Sequence, residues 1–124
     1  MDNNTLINIK QNWLDNIKSY MTQFGFNETK SGFERTETIR EPGQTISING
    51  RIMQQQGKEI EIKKSVTFLW DGWVANVDES NKVDFSQIKF EIYQGKKLIM
   101  SHEDMFYWDE PDFFIKIFKQ AFNI

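Results

Sequence analysis

In the first stretch of the chain the apolar positions Leu6, Ile9, Trp13, Ile17, Tyr20 and Phe24 recur every three or four residues, with Asn8, Asn12, Asp15, Ser19 and Thr22 lying opposite. That spacing is the 3.6-residue period of a helix with one apolar face. Asn3 or Asn4 can cap its start. Gly25 supplies the left-handed residue that ends it, and Phe26 is placed to fold back on Met21 in a Schellman stop.

After Gly32 the period drops to two. Phe33 to Arg40 reads as a strand, and Ile46, Ile48 and Ile52 alternate with Ser47, Asn49 and Arg51. Ile60, Ile62, Val66, Phe68 and Trp70 then alternate with Glu59, Glu61, Lys63, Ser65 and Thr67, which predicts a strand with its first set buried and its second set wet. Ile88, Phe90 and Ile92 repeat the pattern against Lys89, Glu91 and Tyr93, and Gln94-Gly95 turns the chain into Leu98 to Met100. Pro42-Gly43 and Gln56-Gly57 punctuate these runs. Asp71-Gly72 carries the two-residue hairpin signal, which would make Trp70 and Trp73 cross-strand neighbours on one face. Lys64 conflicts with the alternation, because it falls at a core position between Ile62 and Val66; a bulge or an edge position would resolve it.

The last amphipathic stretch starts near Asp109, with Pro111 tolerated in the first turn and Asp112 favoured by the helix dipole. Phe114, Ile117, Phe118, Ala121 and Phe122 form its stripe. A sheet with one apolar face needs a cover, and the two terminal helices supply it. The expected fold is therefore a single α+β domain over residues 1–124. It has an N-terminal helix, an antiparallel meander of about five to six strands and a C-terminal helix, in two layers with both helices on one sheet face.

Composition narrows the function more than it names it. The 124 residues are 39% hydrophobic and 27% charged, as for an ordered globule, and the net charge of -3 is spread over both signs. Such a chain has no field to gather phosphate backbones or an anionic bilayer, so neither nucleic acid nor membrane is expected as a partner. The polar, amide-rich start and the lack of a long apolar run point to a cytoplasmic location. The absence of cysteine excludes disulfides, thiolate catalysis and thiolate metal sites. Heavy use of Ile, Asn and Lys suggests an AT-rich coding genome, such as that of a low-GC bacterium or its phage.

Candidate chemistry is sparse. His102 is the lone histidine, and with Glu103 and Asp104 it falls short of the three convergent ligands that a metal site needs. Glu61-Ile62-Lys63 matches half of a metal-dependent nuclease pattern, and Asp84 with Glu91 offers a second carboxylate pair, with Tyr93 where a lysine is wanted. No glycine-rich phosphate loop is present. Lys63-Lys64 and Lys96-Lys97 near aromatics could serve a single nucleic-acid strand, but Glu59, Glu61 and Glu91 interrupt that surface. No catalytic residue, metal or cofactor is expected.

What remains is the aromatic and acidic stretch before the last helix. Met105, Phe106, Tyr107 and Trp108 cannot all face one core if the segment is extended, and Phe113 points away from Ile115. An exposed aromatic among Tyr107, Trp108 and Phe113, rimmed by Glu103, Asp104, Asp109 and Asp112, would make a binding hot spot for another protein with a basic surface. The leading reading is a non-catalytic protein-interaction domain, either an inhibitor of the immunity or anti-defence type or a dedicated chaperone. The rivals are a binder of small hydrophobic ligands, with a cavity between the sheet and the last helix lined by Phe68, Phe90, Phe114 and Phe118, and a nuclease using dispersed carboxylates.

Overall fold

The computed structural model describes residues 3–40, 42–55, 57–74 and 83–124. The chain runs α1 (Asn3–Gln23), β1 (Asn27–Glu28), β2 (Gly32–Arg40), β3 (Gln44–Ile48), β4 (Arg51–Gln55), β5 (Glu59–Val74), β6 (Val83–Gln94), β7 (Lys97–Tyr107) and α2 (Pro111–Phe122). Five strands form one antiparallel sheet in the order β1-β2-β5-β6-β7, and β3 and β4 form a separate two-stranded ribbon. It is an α+β fold with a helix at each end of the chain.

α1 stops as its sequence dictates. Gly25 takes φ +81°, its N–H donates to the Thr22 carbonyl at 3.0 Å, and the Phe26 N–H donates to the Met21 carbonyl at 3.1 Å, which is the Schellman pattern. Arg35 adds a cation at this negative helix end, donating from Nη1 to the Phe24 carbonyl at 2.9 Å. The start of α1 holds Asn3 and Asn4, whose capping side chains lie outside the described residues, as does that of Leu6. α2 begins at Pro111, slightly later than the sequence suggests, and closes on Asn123 in the left-handed region at φ 55°.

The core is a layer of rings. Trp13, Ile17 and Met21 from α1 and Phe114, Phe118 and Phe122 from α2 pack on Phe33, Val66, Ile88, Phe90 and Phe106 of the sheet. Those sheet residues share one face, because Phe33 lies opposite Val66, Val66 opposite Phe90, and Ile88 and Phe90 follow the same alternation. Phe114 contacts Trp13, Phe90 and Phe106 at ring-centroid distances of 5.2 to 6.1 Å. Burying several such side chains outweighs any polar term here, at about 1.5–3 kcal/mol each.

Three sequence expectations need correction. Asp71-Gly72 is not a turn: both residues lie inside β5, opposite Ser86 and Phe85, so Trp70 and Trp73 sit on one strand. The hairpin signal that is used is Asn49-Gly50, both at positive φ, between β3 and β4. That ribbon continues the β2–β5 pairing without a change of register, since Arg40 faces Glu59 and, four residues on, Gln44 faces Gln55. Pro42, which has no N–H to donate, falls where the ladder is interrupted.

Trp70 was expected on the buried face and is 55% exposed. The pairing shifts between Phe68 and Trp70, so that Phe68 faces Ile88 while Trp70 faces Gln87, and Leu69 is the extra residue of a bulge. One extra residue turns every later side chain to the other face. Lys64 needs no bulge and is not at an edge. It stays on the helix side of the central strand β5, 17% exposed, and pairs with Glu37 Oε1 at 3.4 Å.

Candidate functional site

The Leu69 bulge builds the most distinctive surface of the molecule. Beyond it Trp70 and Gly72 of β5, Phe85 and Gln87 of β6, and Met105 and Tyr107 of β7 share the sheet face away from the helices. The Trp70 ring meets Phe85 edge-on at 5.3 Å, and Phe85 meets Tyr107 at 6.0 Å. Gly72 allows this closure: a Cβ there would lie 2.7 Å from both Phe85 Cζ and Trp70 Cζ3. Phe85 is thereby covered to 5% exposure, while Trp70 and Met105 remain open to solvent. The result is a patch three strands wide, held by rigid rings.

The structure disperses the residues singled out before α2. Tyr107 faces outward beside Phe85, whereas Trp108, one residue on, turns to the helix side. There its Nε1 donates to Ser86 Oγ at 3.0 Å and Lys10 Nζ lies 5.3 Å from its ring centroid. Phe113 packs on Phe106 at 5.6 Å. All three aromatics are half-buried, so none is the open anchor expected of them; among the described residues the open aromatic is Trp70. Glu103 shares the outward row of β7 with Met105 and Tyr107, while Asp104 faces the helix side opposite Ile88. Asp109 and Asp112 are exposed where the chain passes from β7 into α2.

The polar network beside Trp108 is a separate feature. Ser86, 2% exposed, donates to Asp71 Oδ1 at 2.7 Å, and Asp71 Oδ2 pairs with Lys10 of α1. Because of the bulge, Asp71 reaches the helix side and ties α1 to the sheet. Within this network Ser86 Oγ and Trp108 Nε1 thus each have a partner, as a dry environment requires.

Among the described residues the carboxylates singled out above do not converge into a reactive site. Glu61, Lys63, Glu91 and Glu34 line a shallow hollow on the outer face, but Lys63 is held by Glu34 at 3.4 Å and Glu91 by Lys89 at 3.6 Å. Tyr93 donates to Glu91 Oε2 at 3.0 Å, and this hydrogen bond, with some burial and the Glu91 charge, raises the phenol pKa above its ordinary value. Asp84 and Glu91 lie on opposite faces of β6 and cannot act as a pair. His102 stacks on Phe90 and lies 3.5 Å from Asp104 Oδ2. Among the described residues no group of three or more such ligands could hold a metal ion.

The cavity expected between sheet and α2 is filled. Phe90, Phe114 and Phe118 are fully buried in ring-to-ring contact. A cleft of about 310 Å³ opens elsewhere, between α1 and the β1–β2 turn, and Phe68 is the single member of the expected quartet that lines it. Among the described residues no helix is long and apolar enough to cross a membrane. No protein-family model, curated protein or solved structure matches the chain.

Proposed function

We propose that this chain is a non-catalytic protein-interaction domain that binds its partner on the outer sheet face at Trp70, Met105 and Tyr107. The carrying observation is Trp70, 55% exposed and yet fixed edge-on against Phe85. Large exposed rings that lose little freedom on binding are the usual anchors of interfaces. Glu103 lies in the same β7 row and Asp109 follows Tyr107 by two residues, which suits a partner whose apolar pocket has a basic rim. Stoichiometric blocking of another protein, as an inhibitor of the immunity or anti-defence type, needs no more chemistry than this.

The test is site-directed photo-cross-linking in the native host. A cross-linking residue at position 70, with the same residue at position 116 on α2 as control, should capture one protein from position 70 alone. Trp70→Ala should then weaken the purified complex by about 2 kcal/mol or more, with folding nearly intact. A partner captured only from position 116, or an affinity that Trp70→Ala leaves unchanged, would overturn the reading.

A further inference from the structure

β7 is the last strand of its sheet and pairs with β6 alone among the described residues. Its ladder decides which backbone groups are left over. Trp108, next along the same register, donates its N–H to the Asp84 carbonyl at 3.0 Å, so the β7 residues bonded to β6 are those of like parity, Phe106, Asp104, His102 and Met100. Ser101, Glu103, Met105 and Tyr107, which alternate with them, turn their N–H and C=O groups away from the sheet.

Met105 shows that direction. Its N–H takes an acceptor from outside the ladder, Asp104 Oδ1 at 2.8 Å. The Tyr107 carbonyl is likewise used, accepting from the Glu110 N–H at 3.1 Å in the turn to α2. Among the described residues no side chain or turn does the same for Ser101 or Glu103, so the open run is Ser101 to Met105. It contains no proline, and its register is unbroken, because the one shift between β6 and β7 lies at Ile92/Tyr93. Prolines and bulges are what blunt an edge left to solvent. An edge without them is a template for another strand.

The side chains of the run set the chemistry of that strand. Residues directly opposite in an antiparallel pair share a face, so an added strand places one side chain beside Met105 and the next but one beside Glu103, both on the outer face. Met105 is 40% exposed and stands in one cross-strand row with Gln87 and Trp70. Glu103 is exposed, and Lys89, opposite it on β6, pairs with Glu91 at 3.6 Å instead.

We propose that the partner of the outer face lends an extended segment that joins the sheet as a sixth strand, antiparallel to β7 along Ser101 to Met105. It carries an apolar residue beside Met105 and, two positions later, a lysine or arginine beside Glu103. The proposal rests on the reading that Trp70 and Met105 face a partner. A second copy of β7 fits less well: two-fold pairings centred on His102 or Glu103 bring Ser101 or Glu103 itself opposite Glu103, and neither is a cation.

The probe is an end-capped peptide, Thr-Thr-Val-Thr-Lys-Thr-Thr, titrated to millimolar concentration and followed by nitrogen–proton correlation NMR. The Ser101 and Glu103 amide protons should move to low field as they gain acceptors. Replacing the lysine by glutamate should weaken binding about fivefold, the scale of a cross-strand charge pair. N-methylation of the same lysine removes a main-chain donor and keeps the side chain, and should weaken binding about tenfold or more. Ser101→Pro is tolerated where the N–H faces solvent and should also weaken the peptide about fivefold. The comparison of the three peptides on wild type stands without that variant. Equal affinities of the plain and methylated peptides, unmoved Ser101 and Glu103 amides, or no binding would each overturn strand addition. A dimer in sedimentation that Ser101→Pro dissociates would make the occupant a second copy and overturn it too. The cross-link at position 70 fails separately: capture there without strand addition leaves a partner held by side chains alone, and strand addition without capture removes Trp70 as the anchor and keeps the edge.

Discussion

Trp108 donates its indole N–H to Ser86 Oγ at 3.0 Å, and Ser86 in turn donates to Asp71 Oδ1 at 2.7 Å. The chain of bonds makes Trp108 a structural strut between the β7 end and the strand that follows the bulge. Ser86→Ala removes the middle member and strands the half-buried indole, and should cost about 1–2 kcal/mol in chemical denaturation. A double-mutant cycle with Trp108→Phe should show coupling of about 0.5 kcal/mol or more. Additive losses would mean that the two side chains contribute separately.

Gly72 gives a second measure of the bulged region. A methyl group at this position meets Phe85 Cζ and Trp70 Cζ3 at 2.7 Å, so one ring must swing away. Gly72→Ala should cost about 1–3 kcal/mol, as overpacking does, and should change the near-ultraviolet signal of the displaced tryptophan. If Asp71-Gly72 formed an exposed turn, the same change would leave the ring environment untouched, and the spectrum decides between them.

The helices and the core strands were legible because each buries one stripe. Trp13 and Ile17, or Phe114, Phe118 and Phe122, can be read from spacing alone, and so can Val66, Ile88 and Phe90, whereas Met21 takes the core place that the spacing gives to Tyr20 and Phe24, which are half-buried. Asn49-Gly50 carried the same local signal as Asp71-Gly72 and closes the real hairpin. The difference lies in what faces each dipeptide: Gly72 is covered by Phe85 and Trp70 from two strands, whereas nothing lies within 4 Å of a Cβ at Gly50. No local pattern reports such a long-range fit.

The candidate surface was illegible for a related reason. Leu69 has no turn chemistry to mark a bulge, so strict alternation placed Trp70 in the core, and the Asp71-Gly72 signal placed Asp71 in a turn. Tyr107 and Glu103 could be picked from their neighbours, but their grouping with Trp70 depends on the register between three strands. The expectation that adjacent aromatics split between faces did hold for Tyr107 and Trp108. Their half-burial follows from partners on the neighbouring strand β6 or on α1.

The same register ranks two core phenylalanines. Phe90 is fully buried and touches Phe106, Phe114 and Phe122, while Phe68 is half-buried at the cleft wall. Phe90→Ala should therefore cost about 3–5 kcal/mol, and Phe68→Ala distinctly less, about 1–3 kcal/mol. Urea denaturation of both variants checks the order. Equal losses would show that the cleft closes in solution.

Tyr93 provides the pH-dependent test. Its hydroxyl donates to the Glu91 carboxylate at 3.0 Å, and that bond first, burial second and the Glu91 charge third hold the phenol proton more tightly than in the unfolded chain. A raised folded-state pKa contributes stability that is fully present below the unfolded value, about 10, and is lost as pH rises through the folded one. Phenolate absorbance, taken as the difference between wild type and Tyr93→Phe, should show Tyr93 ionising above the ordinary tyrosine range. Glu91→Ala removes the acceptor and its charge together, and should bring the titration back down. The stability advantage of wild type over Glu91→Ala that arises from this bond should accordingly fade at alkaline pH rather than in acid above the carboxylate range. Ionisation of Tyr93 at the ordinary value in wild type would show that the bond does not persist in solution.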